Sequence, residues 1–274
     1  MTERAVLVTG ANSGIGLATV IELARRGFRS IGSVRSEAKG EIVEKAAADA
    51  GVEVSTVLLD VNDAGQCEQV VSDLELWGLV NNAGYALTGA VEDVGDDEGH
   101  ALFETMVHAP VRLARLALPA MRARGDGRIV NVGSIMGRVS VPFAGHYTGA
   151  KHALEALTNA LRVEVAADGV RVILIEPGGF KTGIWEEFER DITKRDAEGS
   201  RFVDAYRRSL QLQRLLEPLM GSPEKCAKVI ADALSARHPR ARYLIGIDAQ
   251  AANLAYSLAP TFVRDRVYRL SLGL

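Results

Sequence analysis

The sequence predicts an α/β fold: a doubly wound, mostly seven-stranded parallel sheet with helices on both faces. Three observations carry this. Short apolar runs alternate with stretches of helical periodicity along most of the 274 residues. The runs are continuously apolar, as strands buried on both faces are. A glycine-rich turn, Thr9-Gly10-Ala11-Asn12-Ser13-Gly14-Ile15-Gly16, joins the first run to the first helix. Right-handed crossovers between such units build a nucleotide-binding sheet.

In order, residues 5–9 form the first strand. Residues 15–26 follow as a helix with apolar Ile15, Ala18, Ile21, Leu23 and Ala24, stopping before Gly27. Strands are expected at 29–34, 52–59, 79–81, 128–132 and 171–176, with a seventh at 243–247. Helices are expected at 37–50 and 64–76. A long one at 97–124 carries Pro110 and Pro119 as points of strain, and another spans 147–167. No repeat or low-complexity linker divides the chain, so residues 1–274 read as one domain. The stretch 183–221 breaks the rhythm between the last two strands and mixes charge with Trp185, Phe188, Phe202 and Tyr206. It is read as a helical substrate lid, or else as a solvated helix pair packed on the core. Residues 249–274 read as a C-terminal helical extension.

Composition narrows the function. A net charge of −3 with 47% hydrophobic residues leaves no basic footprint for nucleic acid. The two cysteines, Cys67 and Cys226, suit a reducing compartment rather than a disulfide frame. No cluster has metal-ligand spacing, so no metal is expected. With no signal peptide or membrane-spanning run recognised, the expectation is a cytoplasmic protein.

The turn at residues 9–16 suits a pyrophosphate, because glycines allow close backbone approach and the helix N-terminus offers free N–H groups. The end of the second strand reads Ser33-Val34-Arg35-Ser36, with no acid before Glu37. An acid there would repel a ribose 2′-phosphate, whereas Arg35 offers a charged fork to one; its alternative is a solvated surface charge. Further on, Tyr147 and Lys151 are four residues apart and share a helix face. A free tyrosine, with pKa ~10, is a poor base near neutrality, and a nearby ammonium favours its phenolate.

The T-G-x-x-x-G-x-G spacing resembles the short-chain dehydrogenase/reductase family. Asn81-Asn82-Ala83-Gly84, Ser134, Tyr147-x-x-x-Lys151 and Pro177-Gly178 agree in order, over about residues 5–182. Ser134 precedes Tyr147 by 147 − 134 = 13 residues, as in the family. The resemblance implies a Rossmann fold and an oxidoreductase that binds NADP(H) and moves a hydride between it and a ketone or secondary alcohol. It implies Tyr147 as acid/base, Ser134 on the substrate oxygen and Lys151 on the nicotinamide ribose. Gly10, Ser13, Gly14, Ile15, Gly16, Arg35, Asp60, Val61, Asn82, Ala83, Gly84, Pro177, Gly178 and Thr182 would join Tyr147 and Lys151 in holding the cofactor. Ser13 and Arg35 would take the 2′-phosphate and Asp60 the adenine amine. Asp60 or Thr182 reads alternatively as a helix cap.

One departure stands out. Met106 occupies the position of an asparagine that in the family holds a water linking the lysine to solvent. Methionine does not donate there, so the proton relay is in doubt. An alternative reading is an NADP(H)-binding sensor or scaffold with weak or no turnover. His108 is expected on the helix surface and Ser140 in a loop. Residues 139–143, Trp185, Phe188, Leu212, Leu215, Leu216 and Leu219 are candidates for an apolar pocket. The general look of residues 123–185 is similar to hydroxysteroid and retinol dehydrogenases, implying a mid-sized hydrophobic substrate, with a polar keto-intermediate as the alternative. The family forms dimers or tetramers through the two long helices, so a homodimer or homotetramer is expected.

Overall fold

The structure, a computed structural model, describes residues 4–274. Seven parallel strands form one sheet in the order β3-β2-β1-β4-β5-β6-β7. They are β1 (Ala5–Val8), β2 (Arg29–Val34), β3 (Ser55–Leu58), β4 (Gly78–Asn81), β5 (Gly127–Val132), β6 (Val170–Pro177) and β7 (Arg242–Ile245). Adjacent residues of a strand point to opposite faces, and the two cores follow that alternation. Leu7, Leu79 and Ile129 enter one apolar cluster. Val6, Val8, Val80 and Val130 enter the other. The first face is covered by α3 (Ala64–Leu74) and α5 (Ala109–Arg124), which contribute Cys67 and Leu113. The second is covered by α1 (Gly14–Arg25) and α9 (Pro223–Ser235), which contribute Leu23 and Ile230.

The strand order reverses between β1 and β4. Both bordering strands end in glycine-bearing turns there, opening a crevice at their carboxyl ends, where ligands of such sheets bind. The helix α2 (Glu37–Asp49) follows β2 as the sequence predicts.

The long helix differs from expectation. It is α4 (Asp96–Phe103), a single π turn at Glu104–His108, and then α5. The irregularity falls just before Pro110, which lacks the N–H of a regular helix and crowds the turn that carries Met106, whereas Pro119 lies inside a helix that continues past it. The π turn carries Met106, and such turns cluster at functional sites.

The 183–221 stretch forms two helices, α7 (Ile184–Ala197) and α8 (Val203–Leu216). Its ends are tied together by Lys181 N–H to Gly221 O at 3.0 Å and Gly221 N–H to Gly179 O at 2.9 Å. It has a core of its own: Ile192, Ala205 and Tyr206 pack with Ala90, Phe143 and Leu272. The Tyr206 hydroxyl donates to Asp93 at 2.5 Å and accepts from Ala90 N–H at 2.6 Å. Helices α6 (Gly145–Glu164), α10 (Ile247–Leu258) and α11 (Thr261–Leu272) complete the chain. Among the described residues no helix is long and apolar enough to cross a membrane.

Candidate active site

The glycine turn is built by two strands together. Thr9 ends β1, and its Oγ1 accepts from both Asn82 N–H and Ala83 N–H at 2.9 Å. The Asn82 side-chain amide donates back to Thr9 O at 2.9 Å. This clamp leaves no room for side chains. A Cβ on Gly10 (φ +66°) would stand 3.0 Å from Ala83 Cα, and one on Gly16 would stand 2.2 Å from Gly10 O. Ser13 precedes α1 without capping it by a side-chain hydrogen bond. Ser13, Gly14 and Ile15 line the crevice, and the first-turn N–H groups of α1 have no side-chain partner, as an anion site requires.

Ser134, directly after β5, lies beside Tyr147 and Lys151 from α6, and all three enter the wall of one cavity of about 580 Å³. Ser13, Gly14, Ile15, Asn82, Gly84, Pro177, Gly178 and Thr182 line the same cavity. Gly10, Gly16 and Ala83 stand behind it as the clamp. Thr182 is not the cap of α7, which is Gly183; its methyl packs against Gly14. Arg35, Asp60 and Val61 lie apart from the cavity, at the carboxyl ends of β2 and β3. Arg35 is exposed and makes no ion pair or hydrogen bond among the described residues. Asp60 is not a helix cap: it accepts from Asn62 N–H at 3.0 Å, and Asp63 caps α3.

The ionisable pair departs from the expected balance. Burial pushes the Tyr147 phenol up to about 12, the negative charge of Glu187 adds to this, and a hydrogen bond with Ser134 pulls it back. Burial pushes Lys151 down to about 8. Its Nζ donates to Val132 O at 2.9 Å and lies 5.7 Å from the Tyr147 ring centroid. Desolvation dominates the phenol, which is half-buried in the cavity wall, and the Lys151 ammonium does not offset it.

Met106 is 2% exposed, packs with Leu102, Val107 and Ala150, and reaches the cavity wall. His108 is exposed on the same turn and does not face Lys151's cavity. Ser140 is exposed. Of the expected apolar lining, Val139, Val141, Phe188 and Leu216 are on the wall. Phe143 is not: it turns into the α7–α8 core, stacking edge-on to Tyr206 at 4.7 Å. Leu212 and Leu215 are exposed. Trp185 and Leu219 lie outside the described side chains. Sequence reasoning missed Glu187, Asp248, Ala252 and Tyr268 as lining residues. No motif marks them, and they arrive from three different helices by folding alone.

Comparison with known proteins gives the family. Residues 4–193 match the family described as short chain dehydrogenase. The chain belongs to that family. This short-chain dehydrogenase is 32% identical to human retinol dehydrogenase 16 over 289 residues, covering 97% of the chain and 88% of the relative. A short-chain dehydrogenase from Streptomyces avermitilis superposes with a TM-score of 0.79 at 31% identity, over 97% of this chain and 95% of that one. An actinorhodin polyketide ketoreductase solved with NADPH gives 0.71 at 28% identity, over 84% and 89%. The family, the oxidoreductase class and the seven-stranded fold thus agree with the expectations from sequence.

Proposed function

We propose that this chain is an NADP(H)-dependent oxidoreductase acting on a mid-sized hydrophobic ketone or secondary alcohol, with Tyr147 as acid/base. The observation that carries this is the meeting of Ser134, Tyr147 and Lys151 on one wall of a largely apolar cavity that opens onto the glycine clamp. The clamp fits a dinucleotide: its glycines hold the turn tight, a Cβ on Gly16 meeting Gly10 O at 2.2 Å, and Ser13, Gly14 and Ile15 at the start of α1 line the cavity. Gly14, Ile15 and Ser13 would hold the phosphates, Asn82 to Gly84 the ribose side, and Pro177, Gly178 and Thr182 the nicotinamide side. Asp60 and Val61 would border the adenine. A nicotinamide bound there would supply the hydride in reduction and accept it in oxidation.

The remaining chemistry falls to this chain. The Ser134 hydroxyl orients the substrate oxygen, and the Tyr147 hydroxyl gives that oxygen its proton. Burial holds the phenol protonated at neutral pH, the form that donates to a carbonyl oxygen in reduction; in oxidation the phenolate would take the proton of the alcohol. The Lys151 ammonium offsets the charge of the phenolate left when that proton goes to the substrate oxygen. NADP(H) rather than NAD(H) is supported by the free Arg35 and the uncapped Ser13, and by the NADPH-bound ketoreductase. Helices α7 and α8 close the cavity as a lid within a single domain. Val111, Leu157 and Val163, exposed on α5 and α6, support assembly as a homodimer or homotetramer through those helices.

The test is NADPH oxidation with a panel of hydrophobic and polar ketones, with Tyr147→Phe alongside. Turnover that falls at least ~100-fold in Tyr147→Phe is the expected result. Tight NADPH binding without turnover across the panel would replace this reading with that of a cofactor-binding sensor.

A further inference from the structure

The cavity beside Tyr147 is mostly apolar, yet its wall holds two carboxylates, Glu187 and Asp248, against one cation, Lys151. Two of these charges are spoken for. Asp248 Oδ2 accepts from Gly179 N–H at 2.6 Å and so holds the turn after β6. Lys151 Nζ donates to Val132 O. Glu187 differs. Its Oε2 accepts from Ala86 N–H at 2.9 Å, but Oε1 has no hydrogen-bond partner and no cation pairs with the carboxylate among the described residues. Its charge is felt at the phenol of Tyr147 and at that of Tyr85.

Pinning α7 does not require Glu187 to carry charge into the cavity. One turn on, Asp191 makes the same kind of bond, accepting from Thr88 N–H at 2.8 Å, without entering the cavity wall. Glu187 is half-buried, with its charge in a mostly apolar wall and only partly screened by solvent, so a like charge brought beside it in the cavity is disfavoured.

We propose that Glu187 sets the charge class of the substrate. The site takes ketones and alcohols that are neutral, or that carry a hydroxyl or ammonium donor for Oε1, and rejects carboxylates. This rests on the oxidoreductase reading above and narrows it: keto acids are excluded, while hydroxylated or basic lipophilic ketones fit. Specificity here comes as much from repulsion as from attraction.

The probes are acetophenone, its para-carboxylate and its para-aminomethyl derivative, which share a shape and differ in charge. NADPH-coupled kcat/KM is measured for each with wild type, Glu187→Gln and Asp191→Asn. The corresponding alcohols are titrated calorimetrically into each protein with NADP⁺. Glutamine keeps an oxygen for Ala86 N–H, and Asp191→Asn controls for a loosened α7. The expected result is a wild-type preference for the aminomethyl over the carboxylate probe of about 10- to 100-fold, in rate and in binding. Glu187→Gln brings that ratio close to one, and Asp191→Asn leaves it as in wild type. A wild-type ratio near one, an unchanged ratio in Glu187→Gln, or an equal change in Asp191→Asn overturns the proposal. Absence of turnover by wild type would count against the oxidoreductase reading, whereas the calorimetric ratio would still decide the role of Glu187.

Discussion

Lys151→Met is expected to stabilise the protein at neutral pH while removing its activity. Lys151 is 6% exposed, and burial lowers its pKa from 10.5 to about 8. That lowering corresponds to about 3 kcal/mol against the charged form in the folded state. The sign follows from linkage. Below pH 8 the lysine is charged in both states and the whole cost is present. Between pH 8 and 10.5 the unfolded chain holds the proton that the folded one has lost, so wild type gains stability as pH rises. Methionine removes the cost but leaves Val132 O without its donor, a loss of about 1 kcal/mol. The net gain at pH 7 is about 1–2 kcal/mol, or roughly 2–4 °C in Tm for a chain of 274 residues. By pH 9.5 the advantage shrinks by about 2 kcal/mol and vanishes. Urea unfolding followed by circular dichroism at both pH values, with NADPH turnover at pH 7, measures all of this. A variant less stable than wild type at pH 7, or an advantage that does not change with pH, would refute the argument that burial of this charge is a standing cost of the site.

Three further outcomes are expected. Arg35→Ala weakens NADPH binding about 10- to 100-fold by fluorescence titration and leaves NADH binding nearly unchanged, because only the 2′-phosphate loses a charged hydrogen bond. Gly16→Ala abolishes binding of either dinucleotide, since its Cβ would sit 2.2 Å from Gly10 O and the clamp has to open; tight binding by this variant would show that the loop adapts. Met106→Asn lowers stability by about 1–3 kcal/mol by burying an amide, and it raises kcat in steady-state assays by giving a water a hold beside Lys151. An unchanged kcat would mean that the proton relay does not run past residue 106.

Elements with strong local signals were legible. The strands β1, β2, β4 and β5 lie close to where continuous apolar runs place them, because a strand buried on both faces has no polar side to disguise it. The edge strand β3 is shorter than expected, starting at Ser55, and two of its residues are exposed, so local hydrophobicity is a poor guide to its ends. Pro110 signals an irregularity in the long helix, but its form, a π turn at Glu104–His108, leaves no signature in composition, and Pro119 marks none.

The sequence by itself determined the parts of the site that local chemistry dictates: the glycines that admit a phosphate, the Tyr147–Lys151 spacing on one helix face, and the family that these motifs share. Only the tertiary structure decided the electrical state of the site and the shape of the cavity. Whether Lys151 lowers the phenol's pKa or burial raises it depends on how much water both retain, which their spacing of four residues does not encode. Glu187, Asp248 and Tyr268 belong to helices widely separated in sequence, and they become neighbours only when α7, α10 and α11 fold back over the ends of β4, β5 and β6. Phe143 was drawn away from the cavity by the Tyr206 core, a choice made by packing between distant segments and so invisible in either one alone.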